Sequence, residues 1–274
     1  MRGLVITADD LGRDTASTGV VLDLAAAGHV TATTLIPAAP GSADAARRAR
    51  EAGLVPHLHV TLNGERGLPP WHPLSGGASL AGPDGALPDD PHVVGARAET
   101  ADVEAELDAQ LAWVRDQGLR PVVADSHAGT LYGLHGRSFL AEGIAWCARH
   151  GLAFRLPRDP APYLGGPPPA PLAEVHARAV ALADALGVAL PATVWTNRRT
   201  AADLGSYESL RADLVARLDD LPEGVSELFL HPSTPDAPGV ADVVRAWEAR
   251  LLRDPTWHAA LDRSGVVLTS GWSS

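Results

Sequence analysis

The residues able to do chemistry collect where short apolar runs stop. "LVITADD" ends in Asp9 and Asp10, "HLHVTL" carries His57 and His59, "PVVADSH" ends in Asp125 and His127, "AFRLPRD" carries Arg155, and "SELFLHP" ends in His231. One or two carboxylates and two imidazoles converging on a point suit a divalent metal ion, because imidazole is a ligand for Zn²⁺ and its neighbours, and three protein ligands leave a position open for water. The imidazole content favours Zn²⁺, while a carboxylate with open water positions also permits Mg²⁺ or Mn²⁺. There is no HExxH pair, and any one of these histidines taken alone reads more simply as a hydrogen-bonded core or rim residue. Their joint occurrence beside Asp9 and Asp10 turns the balance toward a metal site.

Strand alternation sharpens the set, since residues two apart face the same way. His57, His59 and Thr61 share one face, with Leu58, Val60 and Leu62 on the other; Asp125 and His127 also share a face. Adjacent Asp9 and Asp10 cannot both point inward from a regular strand, so a bend or bulge is predicted between them. Asp125 is read as orienting His127 or pairing with His231, or as a turn or cap residue. Arg155 either orients Asp9, binds a substrate oxygen or makes a structural ion pair.

Composition removes several chemistries. All 22 basic residues are arginine, so there is no Schiff-base lysine, no phosphate-loop GK[ST] and no Ser/Lys dyad. The formal net charge of −11 argues against a nucleic-acid partner. A single cysteine, Cys147, falls within helical spacing and reads as a small buried hydrophobe. The N-terminal apolar run is too short for a signal peptide or a membrane span, so a soluble, cytoplasmic protein with no membrane partner is expected.

The elements that must position these groups alternate regularly. The apolar segments "LVITA", "TATTLIP", "HLHVTL", "PVVAD", "AFRLP", "ATVWT", "SELFLHP" and "VVLTS" read as strands. Between them, helical periods run over Thr15 to Gly28, Ser42 to Gly53, Val103 to Gly118, Arg137 to Gly151, Leu172 to Gly187, Tyr207 to Leu221 and Val240 to Arg253. Eight strands with about seven helices predict an α/β fold, a TIM-like (β/α) barrel of seven to eight parallel strands in one domain spanning 1–274. In such barrels the strand C-termini carry the site, which is where these polar groups lie. Two long loops, 63–99 and 157–171, are expected to wall a cleft over that face. Trp71, in "GLPPWHP", serves either as a stacking surface for a sugar or as a loop anchor, and His135 reads as a surface-loop residue.

"TADDLG", "TATTLIP", "HLHVTL", "ADSH" and "ELFLHP" resemble, in this order and at similar intervals, the YdjC-like carbohydrate deacetylases of the diacetylchitobiose deacetylase type, relatives of the NodB-type polysaccharide deacetylases. The resemblance spans nearly the whole chain. It implies a deformed (β/α) barrel and metal-dependent removal of acetyl groups from N-acetylated sugars, with a small-molecule carbohydrate as substrate. It further implies Asp10, His59 and His127 as metal ligands, Asp9 as general base and His231 as general acid. His57 stands where the family usually has Gly, and is at most a neighbour of the site. The family's DSHxHxH reads "DSHAGTL" here, with Gly129 and Leu131 at the later histidine positions, which alters what is bound beside the metal. Two other readings stand open: another metal-dependent barrel enzyme, such as a phosphoesterase or sugar isomerase, or a non-catalytic carbohydrate-binding relative. A homodimer is compatible with the apolar content of the helices.

Overall fold

The computed structural model describes residues 1–239 and 242–272. At its centre is β1 (Arg2–Leu11), buried at every position after Arg2. Parallel strands flank it on both sides: β2 (Ala32–Leu35), β3 (His57–Val60), β4 (Val123–Ser126) and β5 (Ala153–Phe154) in one direction, β7 (Gly224–Leu230) and β6 (Val194–Trp195) in the other. These seven strands curl into a half-barrel with helices outside it, a deformed (β/α) barrel. Between the β5 and β6 edges the gap is bridged by irregular backbone bonds. The Phe154 N–H donates to Ala189 O (3.0 Å), Arg158 N–H to Pro191 O (2.9 Å) and Asp159 N–H to Ala192 O (3.0 Å).

Alternation along the strands divides the molecule into two compartments. Leu4, Ile6 and Ala8 of β1, with Leu58 and Val60 of β3, join the large apolar core between sheet and helices. The opposite face of β1, Val5, Thr7 and Asp9, looks into the barrel, where Val5 packs with Val123 and Trp272. The inward column therefore changes from hydrocarbon to carboxylate within about 14 Å, four residues at about 3.4 Å each.

The eighth strand differs from expectation. β8 (Val267–Leu268) pairs with β1 at Gly3 and Leu4, on the edge that gives Ile6 O to Thr31 N–H at the start of β2, so it is no additional stave of the barrel. The residues after it turn inward, and Trp272 plugs the base while donating from Nε1 to Ala189 O (3.1 Å).

Several helices match the predicted periods, among them Thr15–Ala26, capped by the Asp14 carboxylate on Ser17 N–H (2.8 Å), and Leu140–His150, ended by Gly151 at φ 67°. The expected 240–253 helix is Val244–Leu251, and Val240 lies outside the described residues. A further helix, Pro255–Ser264, follows it, capped by Asp254 with Pro255 in its first turn. The 63–99 segment holds one short helix, Pro91–Arg97, and the 157–171 segment another, Ala161–Leu164.

Candidate functional site

The predicted irregularity after Asp9 is present. The β1–β2 register shifts between Ala8 and Leu11, and Asp10 adopts φ 72°, a region that L-residues with a Cβ enter at a cost. The shift turns both acids inward, and each is 1% exposed. Asp9 meets Arg155, while Asp10 turns toward His59 and His127.

Asp10 Oδ1, His59 Nε2 and His127 Nδ1 form a nearly equilateral triangle with sides of 3.5, 3.5 and 3.4 Å. Three donors of a tetrahedral site at ~2.0–2.1 Å from Zn²⁺ stand ~3.3–3.4 Å apart, so the spacing fits the ion. Asp10 Oδ1 is buried with no hydrogen-bond partner. An uncompensated buried acceptor is costly, and a cation within the triangle satisfies it. Electrostatics point the same way. Burial disfavours a charged His59, but Asp125 and Asp10 outweigh it and raise the ring to about 10. Burial likewise opposes ionisation of Asp10, yet Arg245 and the two histidines hold its carboxyl well below the ordinary range. The ionised carboxylate of Asp10 is the form that binds a cation.

Charged groups stand behind the triangle, an arrangement common around metal sites. Asp125 Oδ1 accepts from His59 Nδ1 at 2.6 Å, which leaves Nε2 to face the triangle. This corrects the sequence reading, in which Asp125 serves His127 or His231. Arg245 Nη1 donates to Asp10 Oδ2 at 2.7 Å, and Glu65 Oε1 stands 3.5 Å from His127 Nε2. Trp71 is buried against the His127 ring, centroids 5.5 Å apart, so it braces that ligand and presents no stacking face to solvent.

Arg155 is the hub of a second layer. Its Nη1 lies 2.7 Å from Asp9 Oδ2 and 2.8 Å from Asp125 Oδ2; its Nη2 lies 3.0 Å from Asp9 Oδ1 and 2.8 Å from Glu227 Oε1. Three buried carboxylates share one guanidinium. Burial, with Asp9 and Asp125 nearby, raises the Glu227 carboxyl to about 7 despite Arg155 and the Thr7 hydroxyl, which donates to Oε1 at 2.5 Å. The Arg155 side chain thus ties Asp9, the candidate base, to Asp125, the partner of His59.

A cavity of about 540 Å³ opens above this layer. Asp9, His59, Arg155 and His231 line it, as do Tyr132, Tyr163, Phe229 and Pro157. His231 packs edge-on to Phe229 at 5.5 Å; burial pushes its pKa below the ordinary value even though Asp10 and Asp9 act in the other direction. Its backbone N–H donates to Glu248 at 2.8 Å. His57 lies toward the base, its Nε2 donating to Ser270 O at 3.2 Å with Trp272 edge-on, and burial lowers it to about 4, so it is neutral and anchors the C-terminal segment.

His135 departs from its surface-loop reading. The loop folds back, its Nε2 lies 2.8 Å from Ala128 O, and the ring lines the cavity. Gly129, where the family motif has a histidine, sits at φ 70°, which a residue with a Cβ adopts at a cost, and a Cβ there would meet Leu134 Cδ1 at 2.6 Å unless that side chain moved.

Sequence reasoning missed Glu65, Glu227, Arg245 and Glu248. Glu227 carried a signal, since Glu227, Phe229 and His231 alternate on one face of β7 in "ELFLH". Arg245 and Glu248 lie three apart on a helix far along the chain, with nothing in the local pattern to connect them with Asp10.

The fold and site define a deformed (β/α) barrel whose strand ends gather a buried acid and imidazole cluster fit to hold a divalent ion. The family model described as YdjC-like protein matches residues 3–263, and the chain belongs to that family. It is similar in structure to a "putative cellobiose-phosphate cleavage protein" from Enterococcus faecalis V583, at 23% identity and a TM-score of 0.77, over 98% of this chain and 97% of that one. At that identity the likeness shows the fold. The lactam utilization protein from Thermus thermophilus overlaps at 17% identity and a TM-score of 0.44, over 98% of this chain and 100% of that one, too distant to inform either fold or function. No curated protein matches the chain. Among the described residues no helix is long and apolar enough to cross a membrane.

Proposed function

We propose that this protein is a metal-dependent hydrolase that removes an acetyl group from an N-acetylated sugar. The observation that carries the reading is the Asp10, His59 and His127 triangle, with its orphaned Asp10 Oδ1, whose His59 lines the cavity together with Asp9 and His231. Membership of the YdjC-like family supports the carbohydrate class. The Tyr163 and Phe229 rings give the cavity an aromatic wall of the kind sugar sites use.

Amide hydrolysis needs a strengthened nucleophile, a stabilised oxyanion and a proton for the departing amine. Asp10, His59 and His127 would hold the ion. When bound, a divalent ion supplies Lewis acidity and acidifies water toward ~7. Asp9 takes the proton of the attacking water at a carboxylate oxygen, and the two-pronged Arg155 contact fixes which way that carboxylate faces. His231 hands a proton to the amine nitrogen as the C–N bond breaks, a contribution of roughly 10²–10⁴-fold for this type of catalysis. Burial favours the neutral ring, so His231 takes up that proton from solvent before each turnover, and Asp9 returns the water's proton to solvent after it.

The test is acetate release from a panel of N-acetylated mono- and oligosaccharides, before and after chelation and after Zn²⁺, Mg²⁺ or Mn²⁺ is returned. Chelator-sensitive release from at least one sugar is expected, restored best by Zn²⁺. Absence of release from all of them in metal-loaded protein overturns the reading.

A further inference from the structure

We infer that Arg245 is a positioning residue that restricts Asp10 to a single ligand oxygen and so keeps a coordination position open on the metal. The inference rests on the metal reading of the triangle and concerns how that site is tuned.

Arg245 divides one carboxylate in two. Its Nη1 holds Asp10 Oδ2 at 2.7 Å, while Oδ1 has no hydrogen-bond partner and stands 3.5 Å from both His59 Nε2 and His127 Nδ1. Asp10 has little freedom to exchange the two oxygens. Its backbone is fixed at φ 72°, its N–H reaches Thr34 Oγ1 at 3.3 Å and its carbonyl accepts from Arg13 N–H at 3.1 Å.

Arg245 is held equally firmly. Its carbonyl accepts from Ser233 N–H at 3.2 Å, and three residues on, Glu248 accepts the His231 N–H at 2.8 Å. These bonds stitch the helix Val244–Leu251 to the segment leaving β7. The other nearby cation, Arg13, is engaged by Glu65 and Asp14, which leaves the outer oxygen of Asp10 to Arg245.

The chemistry follows from what a carboxylate does when free. With both oxygens available it can take an ion in a bidentate manner and occupy two positions; with one oxygen in a charge-assisted bond to a guanidinium it offers one. A guanidinium does not lose its proton in a protein, so the restriction is permanent. It also has a cost, because a fixed cation behind a ligand repels the metal. A group that only built the site would raise metal affinity, whereas Arg245 lowers affinity and preserves the open position that catalytic sites require.

The experiment uses the full chain stripped of metal, as wild type, Arg245→Met and Arg245→Lys. Each is titrated with Zn²⁺ for stoichiometry and Kd, loaded with Co²⁺ for its visible spectrum, and assayed with the best sugar of the panel. Arg245→Met is expected to bind one Zn²⁺ per chain several-fold more tightly. Its Co²⁺ bands should weaken as coordination number rises, and kcat should fall roughly 10–100-fold with KM little changed. Arg245→Lys, which keeps a cation and a donor, should recover part of each change. Weaker Zn²⁺ binding in a folded Arg245→Met, or an unchanged spectrum with unchanged kcat, overturns the inference. Should Arg245→Met not fold, the same shifts in smaller measure are expected of Arg245→Lys, and their absence there is the contrary result. If wild type binds Zn²⁺ yet releases no acetate, the proposed function fails while affinity and spectrum still decide the role of Arg245.

Discussion

The inward faces of the same strands end in opposite chemistry. At the base, Val5, Val123 and Trp272 pack as hydrocarbon with His57 neutral beside them; at the mouth, Asp9, Asp10, Asp125 and Glu227 crowd around two arginines and two imidazoles. The step from one to the other takes four residues on β1, Val5 to Thr7 to Asp9, and two on the flanking strands: His57 to His59 on β3, Val123 to Asp125 on β4, and Val225 to Glu227 on β7. Backbone strain follows the same division, for among the described residues the two non-glycine positions at positive φ, Asp10 and Ala128, are both at the mouth. The base supplies packing, which holds the strands in register, and the mouth consumes part of that stability to keep charges buried.

The most severe way to break this division is Arg155→Met. It strips three buried carboxylates of their shared cation, and removing one partner of a buried ion pair costs about 3–5 kcal/mol. Denaturant unfolding should show at least that loss, with activity gone; a stable, active variant would mean the mouth is not held by Arg155. Trp272→Ala addresses the base. A buried Trp cut to Ala costs about 3–5 kcal/mol, so the melting temperature should drop while kcat of the folded fraction stays the same. A fall in kcat without a fall in stability would show the two ends to be coupled.

Glu227 lies at the boundary, and its titration reports on it. Its folded pKa is raised to about 7 from the ordinary 4.5, so the folded chain binds this proton more tightly than the unfolded one. The associated stability is fully present below about 4.5 and is lost as pH rises through about 7, on the order of 3 kcal/mol in all. Glu227→Gln, which does not titrate, should flatten that decline in urea midpoints measured from pH 4.5 to 8; an unaltered slope would count against it. Ala128→Gly is the gentlest change. Relief of φ 50° against the added freedom of the unfolded chain should raise stability by less than ~1 kcal/mol, and a clear loss would mean the methyl group matters to the mouth.

Much of this was legible in the sequence for a physical reason: period-two alternation places His59 and Asp125 on inward faces, and two adjacent acids at a strand end require a bulge. The (β/α) barrel was legible from the rhythm of apolar runs, and its deformation only from the family resemblance. What the sequence hid was the pairing of charges across long separations. The partner of Asp10 is 235 residues away, and that of Asp9 is 146 away, distances over which no local pattern operates. The helix Pro255–Ser264 was a different kind of miss, since Asp254 followed by Pro255 is a helix-start signal that was there to be read. His135 could not be placed because its position depends on a loop closing over the strained Ala128.

The central claim is that Asp10, His59 and His127 hold one divalent ion. Its most direct test is metal content by elemental analysis after Zn²⁺ loading and desalting, in wild type and in His59→Ala with its fold checked by circular dichroism. One ion per wild-type chain and less than about a tenth of that in His59→Ala is the expected result. Wild type that retains no metal, or His59→Ala that retains a full equivalent, would contradict it.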